Sequence, residues 1–146
     1  MPRYFTFEQA SRLLPPAGKA IREAVQAKSR YEEAEGALQS LVHRIMVMGG
    51  IALDVMSAES WKNQRDNSEV ALKTAVDKLE DMGCVVKDLD YGLIDFPTLF
   101  RGEEVYLCYR MDEAGIMFWH GVHEGFEGRR AIDAEFLGNH RGDELS

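Results

Sequence analysis

The stretch from residue 76 to 96, VDKLEDMGCVVKDLDYGLIDF, contains the change of pattern that decides the fold. Up to Met82 the apolar residues recur every three or four positions, which is the period of an amphipathic α-helix. After Gly83 they form short runs rich in β-branched and aromatic residues, which are typical of strands. The sequence therefore predicts an α+β protein that is helical before Gly83 and mostly strand after it.

The chain begins with the signature of a helix start. Thr6 and Gln9 have the spacing of a capping box, in which each side chain bonds the backbone N–H of the other residue. Prolines follow at positions 15 and 16, and the residue before a proline avoids the helical region. A first short helix is therefore expected to end or kink near Leu14.

Two longer helical patterns follow, at 17–48 and at about 60–82. The apolar stripe of the first continues for about eight turns and stops at Gly49-Gly50, a pair suited to a helix end and a tight turn. Two amphipathic helices joined by a short turn pack antiparallel, so each stripe covers the other. The sequence predicts a long antiparallel helical hairpin.

The second half is predicted to form a three- to four-stranded antiparallel β-meander that packs on this hairpin. Four runs have strand character, and turn residues separate them: 85–87, 93–96, 104–109 and 116–119. Residues 1–133 are expected to form a single domain, with 1–82 mainly helical and 83–133 mainly strand and loop. The polar residues 134–146 are expected to form a frayed C-terminal tail.

Charge and composition exclude several classes of partner. The net charge is −8, and no basic stripe is present, so neither nucleic acid nor an anionic membrane surface is an expected partner. No signal segment or spanning segment is evident, which makes the cytoplasm the default location. Cys84 and Cys108 have no metal-site spacing and lie in apolar runs, so both are predicted to be buried reduced thiols.

The densest group of potential metal ligands is His120-Gly121-Val122-His123-Glu124. As one helical turn, it would place His120, His123 and Glu124 on one face. As a continued strand, it would leave His120 and Glu124 together and turn His123 away. Two imidazoles and a carboxylate suit zinc, iron, nickel or manganese, whereas histidines beside Trp119 are more often structural groups that bond the backbone.

Asp95 is a further candidate because it interrupts a strongly apolar strand. The strand period of two favours an outward, solvent-facing side chain, and an inward one would require a partner such as histidine or arginine. His120 is expected at the end of its strand, facing a cleft that Asp95 or the loop at 125–129 also lines. In that loop Phe126 and Arg129 could close over an anionic ligand, although a plain connection is the stronger reading.

Several short motifs resemble a bacterial family, the domain of unknown function catalogued as twenty-two zero three. They are Tyr4-Phe5-Thr6, Leu13-Leu14-Pro15, Gly49-Gly50, Gly83, Lys87-Asp88, Gly92 to Pro97, Val105 to Cys108, Trp119-His120 and Gly125 to Arg129, within about 3–133. The family pattern usually has an acidic residue where this chain has His123, and glutamine where it has Arg130. The resemblance implies a shared fold in a bacterial, cytosolic setting, and it implies no activity.

Two functions of different classes remain open from the sequence. The first is a non-enzymatic binding or protein-interaction module that uses the hairpin or the sheet. The second is a divalent-metal-binding protein or metal-dependent enzyme centred on His120, with His123, Glu124 and Asp95 as further ligands or bases. Self-association as a dimer is also expected, because the first helix is longer than the second and could leave its stripe uncovered near Ala24, Tyr31 or Leu38.

Overall fold

A computed structural model describes residues 3–48 and 55–143. Helix α1 runs over Phe7–Met48 and helix α2 over Val55–Met82, and the two pack against each other as an antiparallel hairpin. The hairpin prediction is confirmed, while the proposed Gly49-Gly50 turn lies outside the described residues.

Many of the buried side chains on the two helices are small. Alanine is the commonest buried residue of the two helices, as in Ala17, Ala20, Ala24 and Ala34 of α1 and Ala75 of α2. A methyl side chain fills little space between two helix axes, so the backbones approach closely where alanines face each other.

The prediction that a first short helix ends near Leu14 was wrong, because α1 continues through Pro15 and Pro16 as one helix. The capping box is present: the Thr6 hydroxyl accepts the Gln9 N–H at 3.1 Å, and the Gln9 side chain accepts the Thr6 N–H at 3.0 Å. Each proline removes one helical hydrogen bond. Burial of the helix on both sides of the prolines outweighs that local cost, as tertiary contacts often do.

The antiparallel sheet contains the four predicted strands with somewhat different limits, β1 (Val85–Asp88), β2 (Leu93–Phe100), β3 (Glu103–Arg110) and β4 (Phe118–Gly121). They lie in the order β1-β2-β3-β4, which is a meander. Two further strands of two residues each extend it: β5 (Arg130–Ala131) pairs with β4, and β6 (His140–Arg141) pairs with β2. Two residues are too few to show a period, so no sequence pattern predicts these strands.

The two faces of the sheet have different surroundings. Alternate residues of β2, β3 and β4 belong to one core with the helices: Ile94, Phe96, Val105, Leu107, Tyr109 and Trp119. The residues between them, at odd positions in β2 and even positions in β3 and β4, lie on the opposite face. We call this opposite face the outer face; it carries the candidate site.

The predicted frayed tail was wrong for residues 134–143. Helix α3 (Ala134–Asn139) begins at Asp133, whose carboxylate accepts the Phe136 N–H at 2.8 Å. The Phe136 ring is 1% exposed and packs 5.0 Å from Phe100 and 4.9 Å from Trp119, centroid to centroid. One buried aromatic thus anchors an otherwise polar segment, and residues 144–146 lie outside the described part of the chain.

None of the helices in the described ranges has the combination of length and apolar character that crossing a bilayer requires.

Candidate metal centre

Three neighbouring strands place three potential metal ligands together on the outer face. Asp95 of β2 pairs directly with Cys108 of β3, and His120 of β4 lies diagonally from Cys108. Strands β2 and β4 are two strand spacings apart, about 9.5 Å, so the side chains of Asp95 and His120 meet above β3. The small Cys108 side chain leaves room for that meeting.

The ligand atoms of these three residues are close enough to share one ion. A carboxylate oxygen of Asp95, the Cys108 Sγ and a ring nitrogen of His120 lie within 4.8 Å of one another, and all three residues are buried. The His120 Nε2 is 3.2 Å from both carboxylate oxygens of Asp95. Around a tetrahedral zinc ion, neighbouring ligand atoms stand about 3.3–3.7 Å apart, so small side-chain rotations would suffice.

The orientation of the His120 ring is determined by its other nitrogen. Nδ1 lies 2.9 Å from the backbone oxygen of Gly121, which can only accept a hydrogen bond, so Nδ1 carries a proton. Nε2 is then the nitrogen directed at Asp95. Metal-binding histidines usually donate their second ring N–H to a carbonyl or carboxylate in this way.

Without a metal ion, a proton on Nε2 supplies the positive charge between these groups. The hydrogen bond to Asp95 is the largest cause that raises the pKa of His120 to about 10, followed by the hydrogen bond to Cys108, while burial acts in the opposite direction. One N–H cannot satisfy both carboxylate oxygens. Within the described residues, Asp95 Oδ2 is buried and has no hydrogen-bond partner.

The prediction that Asp95 faces solvent was wrong, although its placement on the outer face was right. Asp95 is 0% exposed. The strand period locates a side chain on one face of a sheet and contains no information about what covers that face. Here His120 of β4 and the segment that follows this strand cover the face. His120 supplies the partner that a buried carboxylate requires.

The sequence analysis did not identify Cys108 as a ligand. It was predicted to be a buried free thiol, and this is confirmed for both cysteines. Burial raises the pKa of Cys108, while the hydrogen bond from His120 opposes this rise. Burial raises the pKa of Cys84 to about 12, while the charge of Arg3 opposes this rise, and Cys84 lies in the core on the helix side of the sheet. Only the pairing of β2 with β3, which places Cys108 opposite Asp95, distinguishes Cys108 from Cys84 as a possible ligand.

The structure does not place His123 in this group. Strand β4 ends at Gly121, and the Glu124 N–H donates to the Gly121 oxygen at 3.0 Å, which makes a turn in place of the helical or extended alternatives. His123 is exposed on that turn. Glu124 lines the same cleft as His120, but its oxygens accept the Gly121 N–H at 2.9 Å and the Arg130 guanidinium at 2.8 and 3.0 Å.

The loop residues predicted to close over an anion have different surroundings. Phe126 is partly exposed and lines the cleft. The Arg129 side chain is 8% exposed and forms an ion pair with Glu113, with its guanidinium 4.1 Å from the ring centroid of Phe118 and 4.4 Å from that of Phe126. These contacts hold the loop against the outer face and leave Arg129 no direct approach to a ligand in the cleft.

The three ligand residues open on one side to a cleft of about 90 Å³. Its other walls are Lys87, Leu93, Glu124, Gly125 and Phe126. The expectation that His120 faces a cleft lined by Asp95 and the glycine-bracketed loop therefore agrees with the geometry. An ion held by Asp95, Cys108 and His120 would lie beside this cleft.

Residues 3–132 match the family model described as "Uncharacterized conserved protein (DUF2203)". The chain belongs to this family. It has no match among curated proteins or among solved structures. The match covers the helical hairpin, the meander and all three clustered residues of the outer face.

In this family member the donor set favours particular metal ions. Nitrogen, oxygen and thiolate sulfur together suit zinc, and three protein ligands with one open position are the usual arrangement of zinc sites that bind a further ligand. Manganese prefers oxygen ligands and fits a thiolate poorly. Iron and nickel accept nitrogen and sulfur ligands and remain compatible with this set.

Proposed function

We propose that this protein binds one divalent transition metal ion, with zinc the best fit, through Asp95, Cys108 and His120. The observation that carries the proposal is the meeting of three buried, chemically different ligand atoms within 4.8 Å of one another. Buried titratable groups of this kind are costly to assemble without a positive charge among them. A structural hydrogen bond would need only two of the three.

Charge balance supports the same proposal. A zinc ion bound by the Asp95 carboxylate, a Cys108 thiolate and a neutral imidazole has no net charge, which suits a buried site. The ion also gives Asp95 Oδ2, which has no hydrogen-bond partner among the described residues, a positive charge to interact with. Binding would release the Nε2 proton of His120 and the thiol proton of Cys108.

A cytosolic setting, in bacteria as the family resemblance implies, fits the free state of both cysteines. The cytosol keeps thiols reduced, so Cys108 would remain able to bind the ion.

Direct metal measurement tests the proposal. Protein purified without an affinity tag or chelator is expected to contain close to one equivalent of zinc. Added cobalt(II), which replaces zinc and absorbs visible light, is expected to give thiolate-to-cobalt charge transfer. The variant Cys108→Ala should lose that absorption, whereas Cys84→Ala, which removes the other buried thiol, should keep it.

The two histidines of the motif at 120–124 provide a second pair of variants, in which one is the control for the other. His120→Ala should lower zinc affinity by at least about tenfold, whereas His123→Ala should leave it unchanged. Thermal unfolding of each variant, with and without zinc, separates loss of the ligand from loss of the fold. The proposal is rejected if the parent protein takes up no more metal than Cys108→Ala, or gains no thermal stability from zinc, nickel or iron(II).

We propose that the protein also self-associates. This is the form of protein interaction that the sequence leads us to expect. Four large apolar side chains near the far end of the hairpin are well exposed: Val42, Met46, Val47 and Met56. Ala24 is fully buried, so the uncovered part of the α1 stripe lies further along the helix than the sequence suggested. Clustered exposed apolar side chains are typical of protein–protein contacts.

A further inference from the structure

We propose that the cleft beside Asp95, Cys108 and His120 binds a small carboxylate, with one oxygen on the metal ion and the other on Lys87. This inference rests on the proposed metal site. It assigns a ligand class to the coordination position that the three protein ligands leave open.

Lys87 lies on the outer face, two residues after Val85, which pairs with Asp95, and it lies at an irregularity in β1. The register pairs Val86 with Ile94 and Asp88 with Leu93, so Lys87 is an extra residue on β1 opposite no residue of β2. An extra residue of this kind bends a strand and redirects its side chains, and such bulges are common beside functional sites. The Lys87 side chain lines the same cleft as the three ligands.

The Lys87 side chain is exposed, and its ammonium group lies over an aromatic ring beside the cleft. Its Nζ lies 4.6 Å from the centroid of the Tyr106 ring, and that ring in turn packs 5.6 Å from the His120 ring. Across residues 3–48 and 55–143, no ion pair includes Lys87. An aromatic face positions an ammonium group without neutralising its charge.

The charges in the cleft select a monoanion. The metal ion with Asp95, Cys108 and His120 has no net charge, and Glu124 is neutralised by the bidentate contact with Arg130. Lys87 therefore contributes the one unbalanced positive charge. A carboxylate neutralises it, whereas a phosphate dianion would bring an excess negative charge beside two carboxylates.

The size of the cleft indicates where the rest of the ligand lies. A volume of about 90 Å³ holds about three water molecules, which is enough for a carboxylate and little more. Leu93 and Phe126 line both this cleft and a second cleft of about 330 Å³ beside it. Tyr91 and Arg110 also line the second cleft. The carbon skeleton of the ligand would lie there, between aromatic side chains.

The cobalt-loaded protein provides the test, with acetate and benzoate as the probes. Each is expected to shift the visible cobalt spectrum in a saturable way, and benzoate should bind more tightly because its ring contacts Phe126. Lys87→Met should weaken both by about tenfold or more, which is the usual loss for a hydrogen bond to a charged group. Lys73→Met, an exposed lysine on α2, is the matched control and should change nothing.

The outcomes separate the two proposals. If cobalt does not bind through Cys108, the metal site itself is rejected. If cobalt binds and neither carboxylate changes its spectrum, the metal site stands and the carboxylate proposal is overturned. It is also overturned if inorganic phosphate binds more tightly than acetate, or if Lys87→Met binds acetate as well as the parent protein.

Discussion

Glu124 illustrates how single residues shape the wall of the cleft. The Gly121 N–H, followed by the Arg130 guanidinium, lowers the pKa of Glu124 below its usual value, so it remains a carboxylate. Gly121 and Gly128 approach its side chain so closely that an added Cβ would stand 2.8 Å and 2.9 Å from Glu124 atoms. The two glycines therefore provide the space in which this carboxylate meets Arg130.

Gly128→Ala is expected to destabilise the protein because its new methyl group would overlap Glu124 Cβ and Oε2. Overpacking of this kind typically costs about 1–3 kcal/mol. Gly125→Ala is the control, since no atom lies within 4 Å of the added Cβ, and it should change stability by about 0.5 kcal/mol or less. Equal midpoints of urea unfolding for the two variants would contradict this account of the contact.

Residue chemistry also shows how far the site was predictable. His120 and Asp95 were recognisable, because a histidine after an apolar strand and a carboxylate within one are unusual. Cys108 resembled Cys84 in every local respect, and His123 resembled His120. The pairing of β3 with β2 and the turn after β4 distinguish the members of each pair, and both are tertiary features.

Among the secondary-structure elements, α3 and β6 cover part of the edge of β2. Strand β6 pairs with β2 beyond the end of β1, and the His140 Nε2 accepts the Phe7 N–H at 2.9 Å. The C-terminal segment therefore connects the sheet edge to the start of α1. Phe136 provides its main apolar contact with the rest of the protein.

Phe136→Ala is expected to lower the free energy of unfolding by about 3–5 kcal/mol, the usual cost of removing a buried phenyl ring. Leu137→Ala is the matched control, because Leu137 is the next residue of α3 and is 43% exposed, so its loss should be well under about 1 kcal/mol. Chemical denaturation measures both. A similarly small effect for the two variants would restore the interpretation of residues 134–143 as a frayed tail.

At the scale of the whole molecule, the two proposed functions involve different parts of the fold. The proposed metal site lies on the outer face of the sheet, opposite the helices, while the exposed apolar side chains lie near the far end of the hairpin. Self-association there would leave the cleft open. The two proposals can therefore be tested independently of each other.

The protein is expected to sediment as a dimer at high micromolar concentration. Val42→Glu combined with Met46→Glu should weaken the dimer by more than about tenfold, because an interface would then bury unpaired charges. Val70→Glu is the control, since Val70 is also well exposed but lies further along α2. A parent protein that remains a monomer, or equal effects of the two changes, would overturn this surface assignment.

The sequence by itself determined the α+β class, the helical hairpin, the four main strands and the outer-face position of Asp95. These features follow from apolar periodicity and turn residues, which act within a few positions along the chain. The tertiary structure alone decided that Pro15 and Pro16 remain within one helix, that Phe136 anchors the C-terminal segment, and that Cys108 joins Asp95 and His120. Each depends on contacts between residues distant in sequence, whose energy outweighs local preference and leaves no periodic pattern in the chain.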